Sequence, residues 1–151
     1  MRHFFFIILF LFCFAATAAA GDGMINLKSP HSVADTADHL ENILKEKGMT
    51  VFTRIDHSKG AQKAGLALKP TELVIFGNPK VGTPLMHCAR TVALDLPQKA
   101  LIRQDDTGQV WLTYNDPGYL AERHGITDCN DLIAKIEKVL ANIAAAATAA
   151  E

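Results

Sequence analysis

The sequence predicts an α+β fold: a single antiparallel sheet of about five strands, two main helices packed on one face, and additional short helices. Three observations lead there. Strand-like segments with alternating or continuous apolar residues follow one another through the middle of the chain. Two longer segments with helical apolar spacing stand toward either end. A four-residue turn signal, Asp105-Asp106-Thr107-Gly108, joins the last two strand-like segments as a hairpin.

Ahead of the domain, residues 1–20 read as a signal peptide. Met1-Arg2-His3 gives a basic start, Phe4 to Phe14 an unbroken apolar run, and Ala18-Ala19-Ala20 the small-x-small pattern cleaved before Gly21. The run is shorter than the roughly 20 residues that span a bilayer. The mature chain is therefore expected to be periplasmic or secreted, with no stable membrane anchor after cleavage. Residues 21–143 form one domain, and the alanine-rich tail, 144–151, has no large apolar side chain to bury and is expected to fray.

Met24 to Leu27 opens the domain as a short strand. Ser32-Val33-Ala34-Asp35 resembles a capping box ahead of a helix carrying Val33, Ala37, Leu40 and Leu44 on one face, which Gly48 ends. Thr50 to Ile55 alternates as a half-buried strand, and Leu73 to Phe76 reads as a more fully buried one. His57 to Pro70 connects them through Gly60 and Gly65, with room for one helical turn. Thr83-Pro84 offers a good N-cap followed by a proline suited to the first helical position. Leu96-Pro97 disfavours helix, Lys99 to Arg103 and Gln109 to Tyr114 form the hairpin, and Pro117 to His124 a short helix. Gly125 breaks it, and Thr127 or Asp128 caps a final helix with Leu132, Ile136, Leu140 and Ile143 at helical spacing.

Charge and cysteine content narrow the functional classes. After cleavage, 14 basic residues stand against 16 acidic ones, a net charge of about −2. Without a basic stripe or interleaved aromatics there is no reason to expect nucleic acid. Cys88 and Cys129 are the cysteines that remain. Export lets them form a disulfide, and a buried pair of thiols is the alternative.

The segment Phe76 to Met86, FGNPKVGTPLM, carries the strongest chemical suggestion. It leads from an apolar strand through a turn-rich loop to a helix start, where backbone N–H groups and Lys80 can converge on an anion or polar ligand. Gly77-x4-Gly82-Thr83 half-imitates a phosphate-cradling loop, but no lysine follows Gly82, which excludes a nucleotide triphosphatase.

Five segments taken together carry a family resemblance: Ile55-Asp56-His57, the Phe76 to Met86 segment, Ala93-Leu94-Asp95-Leu96-Pro97, Tyr114-Asn115-Asp116-Pro117 and Arg123-His124-Gly125-Ile126. In order and spacing they resemble the domain of unknown function 302 family across essentially the whole mature chain. The resemblance implies a fold similar to the TATA-binding-protein-like arrangement and a homodimer. It implies no reaction and leaves any cofactor unknown.

Residue chemistry leaves two functional readings. The first is a non-catalytic dimeric binding or interaction module, with a small polar or anionic ligand held by Asn78, Lys80, Gly82, Thr83 and Met86, framed by His57 and Tyr114. The second is a redox, metal or haem-linked accessory protein of the cell envelope, drawing on His57, Met86, His87 and His124. Paired ligand spacings such as C-x-x-C or H-x-x-x-H are absent, and so is a c-type haem attachment motif, which favours the first reading. Cys88 beside His87 makes a poor nucleophile pair, because adjacent helical residues point in different directions. Trp111 and Tyr114, an odd number of positions apart on one strand, point to opposite faces of the sheet.

Overall fold

A computed structural model describes residues 23–150, so the signal-peptide reading of residues 1–20 lies outside the described residues. Five strands, β1 Met24–Ser29, β2 Thr50–Asp56, β3 Thr71–Gly77, β4 Gln98–Gln104 and β5 Val110–Asn115, form one sheet in the order β1-β5-β4-β3-β2. Every neighbouring pair is antiparallel. Five α-helices accompany them: α1 Val33–Glu46, α2 His57–Lys63, α3 Pro79–Cys88, α4 Pro117–Arg123 and α5 Asn130–Ala147. The α+β fold with a five-stranded antiparallel sheet is thus the one expected.

Alternation along the strands gives the sheet two unlike faces. Glu72, Val74 and Phe76 of β3 are buried, while Leu73 and Ile75 between them are only half-buried, so this strand alternates where its continuous apolar run reads as more fully buried. Ala100 and Ile102 of β4, with Leu112 and Tyr114 of β5, extend the buried face. Helices α1 and α5 supply the apolar stripes that cover it. The first buries Val33, Ala37, Leu40 and Leu44, and the second Ile133, Ile136, Leu140 and Ile143. Leu40 and Leu44 are 1% and 0% exposed, and truncating either to alanine should cost about 2–5 kcal/mol.

Local chemistry fixes the ends of these elements. Ser32 caps α1, its hydroxyl accepting the Asp35 N–H at 3.1 Å, as the capping-box pattern indicates. Asp105 organises the β4–β5 hairpin. Its Oδ1 accepts the backbone N–H groups of Thr107 and Gln109 at 2.9 and 3.0 Å and the Thr107 hydroxyl at 2.7 Å, and its Oδ2 accepts the Trp111 indole N–H at 2.8 Å. Gly108 closes that turn at φ +88°, a conformation other residues rarely adopt. Trp111 and Tyr114 do lie on opposite faces, Tyr114 being buried beneath the helices.

An ionic cluster anchors α1 to the β2 edge. Arg54 pairs with buried Glu72 and with Asp38, lies 3.6 Å from Glu41, and donates to the Ala34 carbonyl at 3.3 Å. Burial opposes its charge, but hydrogen bonds and attraction to Glu72 and Asp38 outweigh that and hold the guanidinium pKa above its ordinary value.

The structure also corrects expectations at three helix ends. Helix α3 begins at Pro79 with Asn78 as its cap, so Thr83 and Pro84 lie inside it. Asn78-Pro79 satisfies the same cap-then-proline rule five residues earlier. Helix α5 is preceded by Cys129 with no side-chain cap bond, so neither Thr127 nor Asp128 serves. Finally, the alanine tail does not fray at residue 144: α5 runs to Ala147, and Ala144 and Ala147 are buried. Alanines need no bulk to pack where helices approach closely, and His31 fastens the end by a 2.7 Å contact to the Ala149 carbonyl oxygen.

Candidate functional site

Helix α3 is walled off from the sheet by a cavity of about 390 Å³. Phe76, Leu85, Ile136 and Leu140 form part of its lining and are buried in the core. Half-buried Val81, Met86, Leu96, Leu132 and Val139 complete most of the wall. The space exists because α3 is short, buries only Leu85, and carries Gly82 where a larger residue would fill the gap. Protein interiors are close-packed, with few voids larger than a water molecule, so a space this large and this apolar has the form of a ligand pocket.

Of the seven residues singled out as ligand contacts, Asn78, Lys80, Gly82, Thr83 and Met86 line this one cavity. His57 and Tyr114 do not. His57 starts α2 at the far end of β2 and is exposed. Tyr114 lies under the helices, where burial, then the charges of Asp116 and Glu137, raise its pKa above the ordinary phenol value. Sequence reasoning missed the opposite wall, Leu132 to Leu140 of α5 with Lys135. Its helical period was visible, but not which part of the chain it faces.

The polar chemistry differs from the anion cradle expected at a helix start. Asn78 Oδ1 accepts the Lys80 N–H at 2.9 Å, and the N–H groups of Val81 and Gly82 both donate to the Asn78 carbonyl at 2.9 Å. These amides are therefore already satisfied. What remains to meet a ligand are side chains, chiefly Lys80 and Lys135, which are exposed and line the cavity. Among the described residues neither lysine is held in an ion pair and no acidic residue lines the cavity.

The two cysteines of the described residues are joined. Cys88 and Cys129 form a disulfide with Cα atoms 6.4 Å apart, which ties the end of α3 to the start of α5 and hence one cavity wall to the other.

The histidines of the metal reading occupy three separate elements. His57 begins α2, His87 lies exposed in the last turn of α3, and His124 follows α4. His124 is committed elsewhere: Nε2 lies 2.6 Å from Asp95 Oδ2 and Nδ1 3.1 Å from Thr91 Oγ1, with Arg123 Nε 3.5 Å from the same Asp95 oxygen. Among the described residues no group of three or more His, Cys, Asp or Glu is arranged to hold a metal.

Comparison with known proteins places this architecture. The family model described as "Domain of unknown function DUF302" matches residues 25–143, and the chain belongs to that family. A crystal structure of an uncharacterized conserved DUF302 protein from Bacillus stearothermophilus superposes with a TM-score of 0.76 at 21% identity, covering 83% of this chain and 98% of that one. At that identity the likeness speaks for the fold alone. Among curated proteins, the chain is 51% identical over 113 residues to "Fluoride-specific ion channel FluC 1" of Brucella suis biovar 1, covering 75% of this chain and 44% of the relative. "Fluoride-specific ion channel FluC 2" of Brucella melitensis biotype 1 matches at the same identity over 42% of its length. The chain thus spans less than half the length of the curated relatives it matches.

These relatives correct the periplasmic or secreted placement expected from the leader. They are named as ion channels, and a channel acts in a membrane. An apolar leader marks contact with a membrane, which channel and exported proteins share, so the leader does not separate the two. Among the described residues no helix is long and apolar enough to cross a membrane.

Proposed function

We propose that this domain is a non-catalytic binding module whose ligand enters the cavity between α3 and α5. The observation that carries the reading is the convergence of Asn78, Lys80, Gly82, Thr83 and Met86 on one preformed apolar space. The lining shifts the ligand from a small polar ion to a molecule with an apolar body. The module acts as a homodimer through the uncovered face of the sheet, where Ile55 is 38% exposed and Leu73, Ile75 and Leu101 are half-buried. Such a patch is a natural interface between copies.

The test uses a fluorophore with an aromatic body and a sulfonate head, 1-anilinonaphthalene-8-sulfonate, with the full chain and a cavity-filling variant, Gly82→Phe. A Cβ at Gly82 meets only Leu96 Cδ1, at 3.8 Å, so the ring has room to enter the cavity. Loss of fluorescence enhancement with the melting temperature retained supports the reading. Unchanged enhancement in the variant would oppose it.

A second reading rests on the 51% identity to proteins named as fluoride-specific ion channels. In it, the domain accompanies such a channel and modulates it. Fluoride efflux from vesicles containing a fluoride-specific channel, with and without this chain, tests it. Identical efflux rates and no co-purification with the channel would remove it.

A further inference from the structure

We propose that the ligand class of the α3–α5 cavity is a medium-chain amphipathic anion, an aliphatic chain ending in a carboxylate or comparable acidic head. The inference rests on the binding reading above and names the chemistry of that site. Three observations lead to it. The floor and walls are largely aliphatic or aromatic: Phe76, Leu85, Met86, Ile136, Val139 and Leu140 offer contacts to a chain, whereas the uncharged polar side chains on the lining are Asn78, whose amide is already bonded to Gly48 and Lys80, with Thr83 and Gln98. The formal charges on the lining are both positive, from Lys80 on α3 and Lys135 on α5, and among the described residues no carboxylate there offsets them. Both lysines are exposed and outside the ion pairs of the described residues, so each has a free ammonium at the solvent side of an apolar chamber.

That division of labour suits a ligand with two unlike ends. Each methylene that the chain buries in the apolar interior adds affinity. The head stays at the mouth, where two lysines from opposite walls approach it without being desolvated themselves, since their long stems can lie along apolar surface while the ammonium remains in water. A purely inorganic anion would leave the apolar volume unused. It would also find the first amides of α3 already bonded to Asn78. A cationic amphiphile would meet two like charges. A neutral one would gain nothing from them.

Isothermal titration of the full chain with decanoate, decanol and decyltrimethylammonium separates these cases. Decanoate is expected to bind at least tenfold more tightly than the other two, and octanoate roughly tenfold more weakly than decanoate, as two fewer buried methylenes imply. In a Lys80→Gln/Lys135→Gln variant the preference for carboxylate should fall to within about threefold while decanol affinity stays unchanged. Equal binding of all three amphiphiles, abolished by Gly82→Phe and by Val139→Phe from the opposite wall, would overturn the anionic class and leave the cavity reading standing. Failure of every amphiphile to bind, or binding that survives both filling variants at wild-type affinity, would overturn the cavity reading itself. Using fillers from two walls keeps the test decisive if one of them fails to fold.

Discussion

Cys88 and Cys129 join the last residue of α3 to the residue that precedes α5, so the two walls of the cavity are covalently fastened at one end. The bond closes a loop with a sequence separation of 41, for which the chain-entropy model gives a stabilisation of about 4 kcal/mol. Reduction, or the Cys88→Ser/Cys129→Ser variant, should lower stability by roughly 2–4 kcal/mol in denaturant titrations. It should also weaken binding of an apolar probe, because α3 buries only Leu85 and has little else to hold it in place. A stability loss with unchanged probe affinity would show that the bond does not shape the cavity.

The cap of α3 can be located by substitution. Asn78→Ala should destabilise the fold by about 1 kcal/mol, the usual cost of losing a side-chain cap. Thr83→Ala, at an exposed position inside the helix, should change stability by less than about 0.5 kcal/mol. Chemical denaturation of the two variants checks this, and the reverse ranking would return the helix start to Thr83.

Asp105 predicts an acid dependence. Hydrogen bonds from Thr107 and then Trp111 hold its carboxyl well below the usual carboxylate range. A depressed folded-state pKa contributes stability that is present above the unfolded value, about 3.9, and is lost as pH falls through the folded value. Asp105→Asn should therefore lower the melting temperature most near neutral pH, and the gap to the parent should shrink on acidification toward pH ~2. A gap that stays constant over that range would contradict the assignment.

Arg54 and Glu72 provide a test of buried charge. Arg54→Met removes the partner of a carboxylate that is 8% exposed as a residue and should cost about 2–3 kcal/mol. Adding Glu72→Leu should recover much of that loss, since an apolar pair leaves no unmatched charge. A double-mutant cycle on thermal unfolding reads the difference, and additive losses would argue against direct coupling.

Much of the fold was legible because its signals are local. Ser32 with Asp35 and the Asp105 to Gly108 turn each act within a few residues, and each appears where the pattern indicates. The start of α3 is ambiguous in the sequence because two cap-then-proline pairs, Asn78-Pro79 and Thr83-Pro84, obey one rule and only packing chooses between them. The packed tail is not legible from side-chain bulk, because Ala144 and Ala147 are buried through close helix approach. One wall of the candidate site was legible in its loop chemistry. The other, Leu132 to Leu140, is some 50 positions away and meets it only through the tertiary fold.

The most direct test of the central claim is a map of backbone amide shifts in a ¹H–¹⁵N spectrum of the full chain titrated with decanoate. Saturable shifts should concentrate in residues 77–86 and 132–140, the two walls of the cavity. Shifts confined to the open sheet face around Ile55, Leu73 and Leu101, or none that saturate, would contradict it.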